Sequence, residues 1–123
     1  MSDKTFDICE RTFKFSVRIV NLCRFLNKQG YEVRDLSRQL IRSGTSIGAN
    51  VEEAQAAQST ADFISKLKIS LKEARETRYW LRLLIATKLV KEERLSPLLN
   101  EANELMNIIG AIIVKTQKNN NRK

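Results

Sequence analysis

The chain has no histidine. Ser-His-Asp and Cys-His catalysis are therefore closed to it, as are the Glu-x-x-His di-iron sites of ferritin-like bundles. Cysteine is nearly as scarce, with only Cys9 and Cys23. Read onto one helix, their Cα atoms lie about 21 Å apart, beyond disulfide reach. Two distant thiols cannot close a zinc site either. Both are expected as buried free thiols in a reducing compartment. One proline and four glycines in 123 residues are too few turn formers for a many-stranded β-fold. No apolar run approaches membrane-spanning length, and "MSDKTFDICERTF" carries no apolar h-region. A soluble, cytoplasmic protein is expected.

What the chain does hold is charge and helix formers. Apolar residues make up 42% of it, and 22 basic against 14 acidic residues leave a net charge of +8. The length suits one domain with a real core. The excess of basic residues favours polyanions such as RNA, DNA or anionic surfaces. Abundant Leu, Lys, Arg, Glu and Ala predict an all-α fold.

The apolar spacing predicts four helices, at about 3–28, 33–57, 60–90 and 97–117. In the first, Ser2 or Asp3 supplies the cap and Gly30 the stop. It carries two apolar stripes: Phe6, Cys9, Phe13, Val17 and Val20 on one side, and Ile8, Phe15, Ile19, Leu22 and Leu26 on the other. A bundle core needs one stripe. The second is either a subunit contact or part of one wide core face. In the second helix Val33, Leu36, Leu40, Gly44, Ile47, Val51 and Ala54 step by three and four. That seam runs straight through "RSGTSIGANVEEAQAAQS", so this glycine-containing stretch reads as helix. A phosphate-cradling glycine loop would need a preceding strand and a lysine at set spacing. Gly44 and Gly48, one turn apart, instead suit the close approach of a neighbouring helix. Ser59 and Asp62 form a capping-box-like start for the third helix. Its seam is Phe63, Leu67, Leu71, Ala74, Leu81, Leu84, Ile85 and Leu89. "KEER" reads as a connection. Ser96 as cap and Pro97 as first helical residue open the fourth helix, with Leu98, Ala102, Leu105, Ile109 and Ile112 as its seam. Short connections between four such helices predict an antiparallel up-down-up-down bundle in a single domain.

"LSRQLIRSGTSIGANVEEAQAAQS" followed by "DFISKLKISLKEARETRYWLRLL" resembles the 23S rRNA-intervening-sequence proteins. The family signature resembles Leu-Thr-x-Gln-x-x-Arg, then Ser-Ile-Pro-x-Asn-Ile-Ala-Glu-Gly. Leu36, Gln39, Arg42, Ser46, Ile47, Asn50 and Glu53 fall in register with it. Gly48 stands at the proline and Ala54 at the glycine. A second version, with Gly-Ala-Asn and Glu-Glu-Ala, fits almost unchanged, and Asp62, Phe63, Leu67, Glu73, Glu76 and Leu81 match in the third helix. The resemblance implies a small bacterial cytosolic bundle that assembles as a homopentamer and has no established enzymatic activity. It also implies kinship with the accessory protein of diversity-generating retroelements, which binds a reverse transcriptase and nucleic acid. It supplies no catalytic residues.

Candidate binding residues are therefore cationic. Arg34, Arg38 and Arg42 recur at i, i+4 and i+8 opposite the seam and are the first choice for phosphate contacts. Lys68, Lys72, Arg75 and Arg78 are the second, with acidic neighbours diluting their field. Arg11, Lys14 and Arg18 form a third stripe. Any one stripe taken alone is better explained as solvated surface paired to nearby Asp and Glu. The set, with +8 per subunit and about +40 in a pentamer, points to phosphate-led binding of RNA or DNA with little base specificity. Asn50 reads as a hydrogen-bonding residue toward a neighbouring helix and Glu53 as an ion-pair partner. With Gly44, Ser46 and Gly48 they form a structural signature. Glu52 and Glu53 point about 100° apart and do not suit acid–base work. Tyr79 and Trp80 could stack bases but read as core or interface residues. No metal, cofactor or enzymatic activity is expected.

Overall fold

The structure is a computed structural model that describes the backbone of residues 3–121 and the side chains of residues 8–121. The expected cap from Ser2 or the Asp3 side chain, the Phe6 side chain and the last two residues lie outside that range. The four helices are α1 (Asp3–Leu26), α2 (Tyr31–Gln55), α3 (Thr60–Ala86) and α4 (Glu92–Asn121), and there is no strand among the described residues. Each helix packs on its neighbours in chain order, and α4 closes on α1. The directions are antiparallel. Along α1 and α2, Ile19 faces Gly44 while Thr12 faces Gly48. Along α2 and α3, Ser43 meets Thr77 while Ile47 meets Ser70. This is the expected all-α four-helix bundle.

The helix ends depart from expectation for local reasons. α1 stops at Leu26 because the chain tightens into three-residue bonds, Lys28 N–H to Phe25 O at 3.2 Å and Gln29 N–H to Leu26 O at 3.0 Å. Gly30 then takes φ 125°, a conformation that favours glycine. It accepts from Arg34 N–H at 3.0 Å, so α2 begins at Tyr31, two residues early. The Ser59 hydroxyl accepts from Asp62 N–H at 3.0 Å and caps α3 as the sequence predicts. α3 ends at Ala86 rather than near residue 90. Lys88 adopts φ 59°, which turns the chain, leaves Leu89 exposed and buries Val90 instead.

The largest correction is the start of α4. Neither Ser96 nor Pro97 opens it. The helix begins at Glu92, and the Ser96 hydroxyl donates back to Glu92 O at 2.9 Å. Leu95 is fully buried three residues before Leu98, so "KEER" is mostly first turn. Pro97 sits in the second turn, where the Glu93 carbonyl it cannot bond lies on an exposed residue open to water.

One continuous core runs through the bundle. On α1 it takes Ile8, Phe15, Ile19, Leu22, Cys23 and Leu26. Of the other stripe, Phe13 and Val17 stay outside, 60% and 46% exposed, while half-buried Cys9 packs against the core. The core face of α1 thus does not reach Phe13 and Val17. The α2 seam is buried throughout except for half-buried Leu36. Both cysteines are free, with Cys23 buried and Cys9 only half-buried. Burial pushes both thiols up; Glu52 adds to the effect at Cys9, and hydrogen bonding with the Ser37 side chain opposes it at Cys23.

The glycines of the α2 stretch lie against α1. A Cβ on Gly44 would stand 2.9 Å from Cγ1 and Cγ2 of Ile19, and one on Gly48 would stand 3.1 Å from the Thr12 carbonyl oxygen. The opposite edge of α2 meets α3 through buried hydroxyls. Ser70 donates to Ile47 O at 2.8 Å, and the Thr77 and Ser43 hydroxyls meet at 2.9 Å.

Candidate nucleic-acid interface

The cationic side chains divide into those that bridge two helices and those that do not. Arg42 bridges from α2 to Glu73 of α3 at 3.2 Å and also to Glu76, and the Glu73 side chain is only 13% exposed. Three residues that carry the family resemblance thus meet in one cross-helix clasp. Arg11 acts in the same way, bridging α1 to Glu101 at 2.6 Å and Glu104 at 2.7 Å on α4. Arg38 pairs with Asp35 at 3.3 Å and Lys14 with Glu10 at 3.2 Å, both along one exposed helix surface. Such pairs are weak and exchange readily. Arg18 and Arg34 are exposed and have no ion pair among the described residues.

Ion pairing thus falls unevenly on the stripes singled out in the sequence. The Arg34–Arg38–Arg42 stripe contributes one free and one loosely paired cation. Arg42 is held by Glu73 and Glu76, and its loss would leave the largely buried Glu73 carboxylate without that partner. On α3 the acidic neighbours expected to dilute the field are the ones that Arg42 draws toward α2. Lys68, Lys72, Arg75 and Arg82 are exposed and unpaired among the described residues, while Arg78 is half-buried. With Tyr79 they step by four, three, four and three, which is one helix face. Lys68 and Lys72 also border a shallow groove of about 460 Å³ with Ala61, Ile64, Ser65 and Ile69. α4 adds exposed amides at Asn100, Asn103 and Asn107, while its Glu101 and Glu104 turn to Arg11.

The adjacent aromatics separate. Trp80 is half-buried against the core, and its Nε1 is buried without a partner among the described residues. Tyr79 is 53% exposed and meets Trp80 edge-on at 5.1 Å. Of the core and interface readings, this exposure excludes the core for Tyr79.

The signature polar residues act within α2. Asn50 donates to Ser46 O at 2.8 Å and Ser46 to Arg42 O at 2.6 Å, so neither reaches another helix. Glu53 is exposed and has no ion pair among the described residues. Asn50 thus does not make the expected bond to a neighbouring helix, and the ion pair expected of Glu53 is absent among the described residues.

The Arg11 clasp gives an acid-stability prediction. Hydrogen bonding to Arg11 is the main cause that holds the Glu104 carboxyl below its usual range. A carboxyl depressed on folding contributes stability above its unfolded pKa, near 4.3, and loses it as pH falls through the lower folded value. Melting curves from about pH 7 to about pH 3 should show wild type above Arg11→Gln at neutral pH. The two midpoints should converge in acid. A gap that stays constant across the range would remove the clasp as its source.

A basic four-helix bundle without a histidine-based catalytic constellation is the class these features define. A family model, 23S rRNA-intervening sequence protein, matches residues 4–111, and the chain belongs to this family. It is similar to a crystal structure from Bacteroides thetaiotaomicron, described as a protein of unknown function from the S23 ribosomal protein family. The two share 46% identity at a TM-score of 0.84, over 89% of this chain and 97% of the other. No curated protein matches the chain. Among the described residues, no helix is long and apolar enough to cross a membrane.

Proposed function

We propose that the protein is a non-enzymatic bundle that self-assembles and binds nucleic acid through its phosphates, as an accessory to RNA-processing or reverse-transcription machinery. The observation that carries this reading is the division of charge. Four of the carboxylates are drawn into cross-helix clasps by only two arginines, which leaves the outward face of α3 uniformly cationic. Family membership favours the same direction, and the exposed Phe13 and Val17 favour self-association.

Titration of mixed-sequence RNA and DNA from about 50 to about 200 mM salt tests this. The logarithm of affinity should fall linearly with that of salt, with a slope of about −3 for the four free α3 cations on one subunit. Changing Lys68, Lys72, Arg75 and Arg82 to Gln should weaken binding across all sequences and flatten that slope. Arg34→Gln with Arg38→Gln should do so less. Absence of binding by wild type at the lowest salt would leave a structural or protein-interaction module as the better reading.

A further inference from the structure

We infer that the outward face of α3 is a track for single-stranded nucleic acid, with Tyr79 as the platform on which a base stacks. This rests on the phosphate-binding reading above and specifies its ligand. Tyr79 lies one turn beyond Arg75 and just before Arg82 on the same face as Lys68 and Lys72. It is the exposed aromatic of that face, at 53%. Its edge-on contact with Trp80, 5.1 Å away at 76° between ring planes, occupies at most one side of the phenol ring.

A duplex keeps the faces of its bases inside the stack, so an exposed tyrosine gains nothing there beyond its hydroxyl. A single strand offers a π-face at every nucleotide, while its phosphates need cations on either side of the stacked base. The spacing on α3 provides this alternation. Lys72 and Arg75 precede Tyr79, and Arg82 follows, at about 4.5–6 Å of helix rise per step. Toward the start of α3 the groove between Ile64 and Ile69 sets apolar walls beside Lys68 and Lys72. That combination suits an unstacked nucleotide, with an apolar base and an anionic backbone.

The test compares labelled 20-nucleotide oligo(dT) and oligo(U) with a mixed-sequence 20-base-pair duplex, by fluorescence anisotropy at low salt. Tyr79→Ala should weaken both single strands about tenfold while leaving duplex affinity within about twofold. Tyr79→Phe should match wild type on all three, since the ring face makes the contact. Lys72→Gln with Arg75→Gln should weaken single strands and duplex together. Trp80 is the sole tryptophan, so its emission should change on adding oligo(dT) and not on adding duplex. Circular dichroism melts and light scattering of Tyr79→Ala should match wild type, as its exposure predicts.

Wild type that binds oligo(dT) with Tyr79→Ala equal to it would overturn the track and leave phosphate binding standing. Wild type that binds neither strand form would overturn both. A change of oligomeric mass in Tyr79→Ala would assign the ring to a subunit contact instead. Polyglutamate that displaces oligo(dT) at equal charge, with equal potency from wild type and Tyr79→Ala, would reduce the face to unspecific charge.

Discussion

Gly48→Leu should lower the melting midpoint of this bundle by about 5–10 °C, while Gly48→Ala should change it little. Leucine gains roughly 0.8 kcal/mol of helix propensity over glycine, and alanine about 1 kcal/mol. Against that stands the wall of α1. The atoms facing a Cβ at Gly48 are the Thr12 carbonyl oxygen at 3.1 Å, its carbon at 3.2 Å and Thr12 Cβ at 3.3 Å. Two of these are backbone and cannot rotate aside. One methyl requires α1 to give by a few tenths of an ångström, which the propensity gain roughly offsets. Three further carbons force the helices apart or the side chain off its rotamer, at about 3 kcal/mol. The net loss is then about 2 kcal/mol. A thermal melt in which Gly48→Leu equals or exceeds wild type would remove close packing as the reason for this glycine. At Gly44 the wall is the Ile19 side chain, so truncating Ile19 should partly relieve Gly44→Ala and should not relieve Gly48→Leu.

That glycine pair also marks what the sequence makes legible. The α2 seam is local: steps of three and four from Val33 to Ala54 need no knowledge of any other helix, and they place Gly44 and Gly48 on the packed side. The cap at Ser59 is local too. The start of α4 is not. Pro97 is a strong local start signal, but Leu95 in the core outweighs it, and burial is a property of the assembled bundle. The end of α3 depends on Lys88 in a left-handed conformation that nothing in its side chain advertises. The clasps are the least legible features. Arg42 pairs with residues 31 and 34 positions away, and Arg11 with residues 90 and 93 away. Such pairings require the register between helices, which periodicity within each helix does not contain. For that reason the basic stripe that looked strongest in sequence is partly consumed, and the weaker-looking one is left free. Tyr79 and Trp80 diverge for a simpler cause. Adjacent helical residues point about 100° apart, so two neighbouring aromatics seldom share a role.

The exposed stripe of α1 predicts the second large effect. Phe13→Glu with Val17→Glu should convert an oligomer into a 14.2 kDa monomer without lowering the melting midpoint of the isolated protomer. Phe13 and Val17 stand one turn apart and turn away from the core, while half-buried Cys9 and Val20 flank them. Ile41, 37% exposed, continues the strip from α2. It lies three residues before Gly44 and seven before Gly48, hence on the side of α2 that faces α1. Exposed apolar side chains grouped on one side of a small protein suit a contact surface. If five copies close a ring through it, light scattering should give about 71 kDa, with two different surfaces meeting at each contact. Salt separates this contact from the cationic face. Subunits of net charge +8 repel one another, so added salt should strengthen apolar assembly while it weakens phosphate binding. A monomer mass for wild type at micromolar concentration would end the assembly proposal. An oligomer that survives both glutamates would move the contact to another face of the bundle.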